Sequence, residues 1–165
     1  MITEALKEYS PCIEHSCCFT GHRFISGDAV QMQDRLSCEV ENLINVHGVN
    51  TFYAGGALGF DTLAAECVLS LKGKYPFVNL VLALPCKNQA EKWSADNKQR
   101  YISILQRADV VYYVSDVYNE SCMHKRNDYM LANSKYCVCY LRHSGGGTYY
   151  TVNRARSMGR ELIEL

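Results

Sequence analysis

Residues 51–66 place the strongest constraint on the fold of this chain. A short apolar run, Thr51–Ala54, leads into a glycine loop, residues 55–59. Asp61 follows at the start of a segment whose apolar residues recur at helical spacing. A strand, a glycine turn and a helix in this order are typical of α/β proteins. Glycine lets the backbone approach a ligand closely, and a helix N-terminus attracts anions. The stretch therefore predicts either a phosphate-binding turn or a tight turn that binds nothing.

Strand-like and helical patterns alternate along the rest of the chain. Predicted strands cover residues 16–20, 51–54, 78–84, 110–114, 136–141 and 162–163. Apolar residues at helical spacing predict helices at about 28–46, from 61 to about 73, and at 98–108, 123–133 and 148–158. Because the strands are apolar throughout, they should be covered on both faces. We predict an α/β fold, a Rossmann-like open and mostly parallel sheet with helices on both faces.

The length and composition fit one folded domain. The chain has 165 residues, 48% of them hydrophobic, so a single core is expected and intrinsic disorder is not. We assign residues 1–15 to a polar N-terminal lead-in with at most one helical turn before Pro11, and residues 16–165 to a single Rossmann-like domain. Three glutamates and no apolar block in the lead-in argue against a signal peptide.

The charge balance and the hydropathy limit the classes of partner that the protein is expected to bind. Lys plus Arg and Asp plus Glu both number 17, so the net charge is zero and a basic footprint for nucleic acid is not expected. No apolar run approaches the ~20 residues of a membrane span. We therefore predict a cytoplasmic protein with no nucleic-acid partner and no membrane partner.

The nine cysteines favour packing over metal binding. Their number is odd, and pairs such as Cys17 with Cys18 lie in apolar runs, where a reduced cysteine behaves as a small apolar side chain. Cys12, His15 and Cys17 have a spacing that zinc ligands can show, but no second pair completes four ligands. We predict no metal site.

Three loops at the carboxyl ends of predicted strands hold unusual residues. They are Thr20-Gly21-His22-Arg23, residues 55–61 and residues 144–148, which read Ser-Gly-Gly-Gly-Thr. Right-handed crossovers place all three loops at one edge of the sheet, where open α/β sheets bind ligands. Thr148 could cap the following helix while the glycine N–H groups point to a phosphate. Arg23 could clamp that phosphate, and Asp61 could accept hydrogen bonds from ribose hydroxyls.

Each candidate residue also has a purely structural interpretation. Thr148 and Asp61 could only cap helices, and His22 could only orient its loop. Arg126 fits a solvated helix face slightly better than a site, and Asn127 could close a turn. The convergence of the loops is therefore stronger support for a site than any single residue.

Motifs of several common nucleotide-binding and hydrolytic folds are absent. The chain contains no G-x-x-x-x-G-K-[ST], which excludes a P-loop NTPase, and no G-x-S-x-G elbow of a serine hydrolase. The first predicted strand is not followed by G-x-G-x-x-G, which argues against an ordinary NAD-dependent dehydrogenase.

Four motifs in this order resemble the YpsA-type branch of the SLOG superfamily, which includes the DNA-processing protein DprA and the LOG phosphoribohydrolases. They are residues 17–23 (CCFTGHR), residues 54–61 (AGGALGFD), Arg126-Asn127 and residues 145–148 (GGGT). The resemblance covers nearly the whole chain from Cys17 onward, and the first two motifs are its specific part. It implies a Rossmann-like domain that binds a nucleotide or nucleotide-derived ligand, with the GGGT loop at the phosphate.

The chain departs from the hydrolytic LOG branch at the catalytic position. LOG enzymes carry P-G-G-x-G-T-x-x-E, and alignment on Gly147 and Thr148 puts Thr151 at the glutamate. Cleavage of an N-glycosidic bond through an oxocarbenium-like transition state needs a carboxylate, which threonine lacks. Unless Asp61 or Asp116 substitutes, we expect no phosphoribohydrolase activity, and we assign no catalytic residue.

We expect a binding domain for a phosphate-bearing small molecule, a nucleotide of the mononucleotide or ADP-ribose class, that acts as a sensor or a sequestering protein. The alternative is an N-glycosidase or phosphoribohydrolase-type nucleotide hydrolase that uses Asp61. A third interpretation is a protein-interaction module with a vestigial pocket. No certain cofactor is assigned beyond such a nucleotide or ADP-ribose-type ligand. The expected ligand-binding residues are Thr20, Gly21, His22, Arg23, Gly55, Gly56, Ala57, Gly59, Asp61, Asn127, Gly145, Gly146, Gly147 and Thr148.

The aromatic residues bear on self-association and on the site. Because SLOG relatives often self-associate, the resemblance implies a homo-oligomer. Tyr112, Tyr113, Tyr149 and Tyr150 could face a partner subunit, or they could pack helices on the sheet. Trp93, the only tryptophan, fits core or lid packing better than a stacking platform.

Overall fold

The described part of the chain comprises residues 11–27 and 29–165 of a computed structural model. Most of the predicted lead-in, including the helical turn expected before Pro11, lies outside the described residues. Within the range, Ile13–His15 forms a single 3₁₀ turn that leads into the first strand.

The strands form one open, all-parallel sheet. Within the described residues they are β1 (Ser16–Gly21), β2 (Thr51–Ala54), β3 (Asn79–Cys86), β4 (Val110–Ser115), β5 (Tyr136–Tyr140) and β6 (Glu161–Glu164). They pair in the order β4-β3-β2-β1-β5-β6, and each pair is parallel. The central strands β2 and β5 are buried along their whole length, which explains why their sequences do not alternate with polar residues.

The helices cover both faces of the sheet. α1 (Ala29–His47), α2 (Phe60–Leu71) and α3 (Ala95–Arg107) pack on one face, and α4 (Cys122–Ala132) and α5 (Gly146–Ser157) pack on the other. Successive residues of β1 show the two-sided burial, because Cys17 and Phe19 join the first core and Cys18 joins the second. In the described part of the chain, none of the helices is long and apolar enough to cross a membrane. The predicted α/β, Rossmann-like open sheet is confirmed.

One strand extends further than its sequence predicts. β3 continues through Pro85 to Cys86, although the proline predicts an end at residue 84. The pairing of β2 with β3 stops at Leu82, so Pro85 lies beyond the β2 ladder. Its missing N–H therefore removes no hydrogen bond on that side of the strand.

The direction of winding reverses between β1 and β5. From β1 the chain moves outward through β2 and β3 to β4, and it then returns to place β5 on the other side of β1. The loops that follow β1 and β5 therefore leave the sheet in opposite directions and open a crevice at the carboxyl ends of these strands. Pairing of Gly21 with Tyr140 brings the two strand ends to the same level.

Candidate functional site

A cavity of about 410 Å³ lies at this reversal point. Its volume falls within the range of about 300–1,000 Å³ that is typical of small-molecule sites. The loops after β1, β2 and β5 all contribute to it, and α4 forms a further wall. Its lining residues are Phe19, Thr20, Gly21, His22, Arg23, Ala57, Asp61, Met123, Arg126, Asn127, Met130, His143, Gly145, Gly146, Gly147 and Thr148.

The β5–α5 glycine loop, residues 144–148, is open toward this cavity. Gly145 and Gly146 have φ of +92° and +77°, and a Cβ added at Gly145, Gly146 or Gly147 would have no neighbouring atom within 4 Å. All three glycines are exposed, and α5 begins at Gly146. The first N–H groups of a helix have no partner within the helix, and they carry its positive dipole end. This loop can therefore present backbone donors to an anion.

Thr148 does not cap α5, and that prediction is wrong. The helix begins two residues earlier than its sequence predicts, with Gly145 at the N-cap position and no side-chain cap. Thr148 is therefore the third residue of the helix, although it still lines the cavity. An N-cap without a side chain leaves the space in front of the first helical turn clear.

The β2–α2 glycine loop, residues 55–59, is packed against the protein itself. A Cβ at Gly59 would lie 2.6 Å from Cα of Arg23 and would overlap its carbonyl group, and one at Gly55 would lie 2.8 Å from Oδ2 of Asp61. A Cβ at Gly56 would overlap the side chain of Leu84. From this segment it is Ala57 and Asp61 that line the cavity, while the three glycines lie behind them. Direct ligand binding by Gly55, Gly56 and Gly59 stays a prediction.

Arg126 is buried, so its assignment to a solvated helix face is wrong. The side chain is 4% exposed, its Nη1 donates to the carbonyl of Gly55, and its Nε donates to Oδ1 of Asn127 at 2.7 Å. Burial lowers the pKa of the guanidinium, and the nearby Asp61 opposes that shift. Cys122, Arg126 and Met130 recur every four residues on the buried face of α4, which is the sequence signal that predicts this burial.

Asn127 lies within α4 and does not close a turn. It is 8% exposed, lines the cavity and accepts the hydrogen bond from Arg126. A buried amide in this position orients the guanidinium and leaves its own nitrogen available as a donor.

Asp61 is a buried carboxylate in the cavity wall. The side chain is 5% exposed, and the Ala57 N–H donates to its Oδ2 at 3.3 Å, which ties the β2–α2 glycine loop to the start of α2. Burial raises the pKa of this carboxyl, while Arg126, the Ala57 N–H and Arg23 oppose the shift. The residue therefore stabilises its loop, and contact with a ribose stays a prediction.

His22 ties the three loops together. Its N–H donates to the Tyr140 carbonyl at 3.3 Å, its carbonyl accepts from the Phe60 N–H at 3.1 Å, and its Nε2 accepts from the Arg142 N–H at 2.9 Å. Its ring stacks on that of His143, with centroids 3.9 Å apart. Burial, His143 and Arg142 lower the pKa of His22. An orienting role thus accounts for its contacts, although it also lines the cavity.

The remaining residues of the β1 loop differ in exposure. Thr20 is 6% exposed, and Gly21 packs on the ring of Phe60, where a Cβ would clash. Arg23 is exposed and contributes its positive charge to the cavity. Within this loop, Arg23 is the side chain best placed to meet a charged ligand from solvent.

The position that corresponds to the LOG glutamate carries no acid or base. Thr151 is buried, and its hydroxyl donates to the Gly147 carbonyl at 2.8 Å within α5. Asp116 is exposed and forms an ion pair with Lys87 at 2.6 Å. Among the described residues that line the cavity, Asp61 is the one carboxylate.

Most of the cysteines and tyrosines considered above have a packing role in the structure. Cys17 is fully buried in β1 whereas Cys12 is exposed, and within residues 11–27 and 29–165 no cluster of three His, Cys, Asp or Glu side chains could hold a metal ion. Tyr112 stacks on Tyr129 with centroids 4.4 Å apart, which fits the helix-packing alternative. Tyr149 and Tyr150 are 39% and 38% exposed, so a partner surface there stays a prediction.

The sequence interpretation missed several residues of the cavity wall. Met123 and Met130 on α4 and His143 after β5 line the cavity without having been proposed as site residues. The helical spacing of Met130 from Arg126 and Cys122 could have identified the α4 wall. His143 has no comparable signal, because its position depends on how the loop after β5 folds back onto His22.

Comparison with known proteins gives one family and one fold. The YpsA family model, described as YspA SLOG family, matches residues 28–161. The SPbeta prophage-derived protein YoqJ of Bacillus subtilis is 33% identical over 150 residues, which cover 82% of this chain and 88% of YoqJ. A UPF0398 protein of Brevibacillus brevis is 34% identical over 84 residues, 48% of this chain and 43% of that protein.

Two solved structures of DNA processing protein A share the fold. The protein from Streptococcus pneumoniae superposes with a TM-score of 0.65 at 18% identity, over 90% of this chain and 49% of that chain. The protein from Helicobacter pylori superposes with a TM-score of 0.67 at 18% identity, over 98% of this chain and 67% of that chain. The chain thus spans about half of the first of these proteins and two thirds of the second.

The prediction that nucleic acid is excluded as a partner is wrong. The Helicobacter pylori protein of this fold is described as binding single-stranded DNA. A net charge of zero averages over the whole chain, and it says nothing about how charges such as Arg23 are grouped at one edge of the sheet.

Proposed function

Because the chain belongs to the YspA SLOG family, we propose that it binds a phosphate-bearing nucleotide or nucleotide-derived ligand in the crevice between β1 and β5. The phosphate lies at the start of α5, and the sugar lies toward Ala57 and Asp61. Binding without turnover suits a sensor or a sequestering protein, acting on a ligand of the mononucleotide or ADP-ribose class.

One observation carries the proposal. The exposed glycines at the start of α5 face the same cavity as the Arg23 side chain and the buried Arg126 guanidinium. Helix N–H groups, the helix dipole and two guanidinium groups all favour a negatively charged group at that point. Against these positive groups, Asp61 is the single carboxylate among the described lining residues, and its charged form is disfavoured by burial.

Ligand-induced stabilisation tests the proposal. We expect at least one of AMP, ADP and ADP-ribose to raise the unfolding free energy, by about 2.7 kcal/mol at 100 times its dissociation constant. The variant Gly146→Asp places a carboxylate where the phosphate lies and should lose this stabilisation. Gly159→Asp is the matched control, because Gly159 also has positive φ and open space around it but lies in the turn before β6.

Two results would contradict the proposal. The first is that no nucleotide stabilises the wild-type protein. The second is that Gly146→Asp responds to nucleotide as strongly as Gly159→Asp does.

Single-stranded DNA is the second candidate ligand, because the Helicobacter pylori protein with this fold binds it. A labelled oligonucleotide followed by fluorescence anisotropy separates this candidate from the first. Binding to DNA should weaken steeply as salt rises, because phosphate contacts release counterions. Oligonucleotide binding that a mononucleotide does not compete would favour the DNA candidate.

The hydrolase alternative depends on Asp61. Its carboxyl is in the cavity wall, and its raised pKa is a property that general acids share. Incubation with nucleotides, followed by chromatography for released base or ribose phosphate, tests for turnover. Turnover that Asp61→Asn abolishes would replace the binding function with an enzymatic one.

A further inference from the structure

A second cavity of about 360 Å³ adjoins the first at the carboxyl ends of β3 and β4. Arg23 and Met123 line both cavities, so the two spaces meet at these side chains. The lining residues that matter here are Arg23, Pro85, Gln89, Trp93, Tyr118 and Met123. Each cavity alone is near the lower end of the usual range for a ligand site, and together they lie well within it.

The walls of the second cavity differ in chemistry from those of the first. The first cavity is built from backbone N–H groups, two arginines and a carboxylate. The second has two aromatic rings, a proline and two primary amides, together with the exposed Glu91 and Lys92. The Trp93 ring is held in an edge-to-face contact with Tyr101, with centroids 5.2 Å apart, and it remains partly exposed. A fixed and partly exposed indole offers a flat surface for a heterocycle.

Gln89 adds a polar group that has no partner among the described residues. Both the nitrogen and the oxygen of its amide are buried, and no described residue forms a hydrogen bond with either atom. Buried amides are nearly always hydrogen-bonded, because an unmade bond is unfavourable. A primary amide presents a donor and an acceptor side by side, which matches the donor and acceptor pattern on the edge of a nucleobase.

We propose that the second cavity is the base subsite, in which the heterocyclic base of the nucleotide stacks on Trp93 and hydrogen-bonds to the Gln89 amide once that side chain turns from its buried position toward the cavity. This inference rests on the proposed function, because it takes the phosphate to lie at the start of α5. Arg23 then lies between the two halves of the ligand, where its guanidinium contacts the phosphate and its stem faces the base. Trp93 accordingly has a binding role as well as its packing contact with Tyr101.

The fluorescence of Trp93 provides a specific test, because it is the only tryptophan in the chain. AMP, GMP, CMP and UMP are each titrated into the wild-type protein, with ribose 5-phosphate and adenosine as the two half-ligands. We expect at least one nucleotide to change the tryptophan emission, and we expect ribose 5-phosphate to bind by calorimetry without changing it.

Two variants localise the base. Trp93→Leu and Gln89→Leu should each weaken nucleotide binding by about tenfold, as expected for the loss of one stacking or base-edge contact, and should leave ribose 5-phosphate binding unchanged. Phe77→Leu and Gln99→Leu are matched controls, because both residues are exposed and lie outside the two cavities. Circular dichroism and thermal unfolding establish whether each variant is folded. If Trp93→Leu does not fold, Trp93→Phe replaces it, because phenylalanine keeps an aromatic ring at this position.

The outcomes separate this inference from the proposed function. Nucleotide binding that leaves the emission unchanged and is insensitive to both variants overturns the base subsite while the phosphate site stands. If no phosphate compound binds but adenosine changes the emission in a Gln89-dependent way, the phosphate proposal fails and the base cavity stands. If none of the compounds binds, both fail.

Discussion

The two glycine loops look alike in sequence and differ in what lies against them. In the β2–α2 glycine loop, a Cβ at Gly55, Gly56 or Gly59 would meet Arg126, Leu84 or the Arg23 backbone. In the β5–α5 glycine loop, a Cβ at Gly145, Gly146 or Gly147 would meet nothing within 4 Å. Both loops join a strand of the sheet to a helix, yet one brings parts of the protein together and the other leaves space for a ligand.

This difference shows that a glycine-rich turn has two physical causes. Glycine can be required because neighbouring protein atoms occupy the place of its side chain, or because a ligand does. The packed loop holds Arg126 and Asp61 in position behind the cavity wall, and the open loop supplies the N–H groups at its mouth. Substitutions in and around each loop test this division of roles.

Alanine at Gly59 should be the most damaging single change in either loop. Gly59 and Gly146 both have positive φ, +81° and +77°, so both alanine variants carry backbone strain, and they differ in the space around the added Cβ. We expect Gly59→Ala to lower the unfolding free energy by about 4 kcal/mol, and Gly146→Ala by about 1–2 kcal/mol. Urea denaturation measures both. Equal destabilisation would show that the two loops do not differ in packing.

Removal of the Arg126 charge should be nearly as disruptive. Arg126→Met leaves the Gly55 carbonyl without its donor and Asp61 without the nearby guanidinium, which should lower the unfolding free energy by about 3 kcal/mol. Lys125→Met, on the exposed side of the same helix, is the control and should have almost no effect. A small loss for Arg126→Met would mean that the buried guanidinium does not support the packed loop.

The pH dependence of stability should reveal Asp61. Because its pKa is raised in the folded protein, its contribution to stability is complete below its ordinary pKa of 3.8 and is lost as the pH rises through the folded value. The unfolding free energy of Asp61→Asn, relative to wild type, should therefore increase as the pH rises above 3.8 and through the folded-state pKa of Asp61. Asp34→Asn, at an exposed position in α1, should show no such trend. A falling difference for Asp61→Asn would mean that Arg126 outweighs burial.

Gly147→Ala should separate stability from binding. Gly147 lies inside α5, does not require positive φ and has open space around it, so alanine should raise the unfolding free energy by about 0.5–1 kcal/mol. The added methyl group occupies the space in front of the helix and should weaken nucleotide binding. Calorimetry measures the nucleotide affinity, and urea denaturation measures the unfolding free energy. A variant that gains stability and also keeps full affinity would place the ligand elsewhere.

Much of the fold could be predicted because its signals are local. Apolar runs such as Thr51–Ala54 and Tyr136–Tyr140 identify buried parallel strands, and their alternation with helical patterns identifies the α/β class. The meeting of three loops at one edge follows from the handedness of the crossovers alone. The cavity itself depends on the strand order, because that order places the crevice between β1 and β5.

The details of the site could not be predicted because they depend on contacts between distant segments. The spacing of Cys122, Arg126 and Met130 indicates a shared face of α4. The contact that buries the Arg126 guanidinium also requires Gly55 to approach that face, and the two residues are far apart in the chain. The early start of α5 depends on the positive φ of Gly145 and Gly146, which a sequence of three glycines permits but does not impose. The second cavity was missed because it brings Arg23 together with Trp93 across the sheet edge.

The most direct test of the account is a heteronuclear NMR titration that follows the backbone amide signals during addition of AMP. The open loop should respond, so the amide signals of Gly146, Gly147 and Thr148 should move strongly and saturably. The amide signals of Gly55 and Gly56, which lie behind the cavity wall, should move little. Large shifts at Gly55 and Gly56 with an unmoved α5 N-terminus would contradict the account.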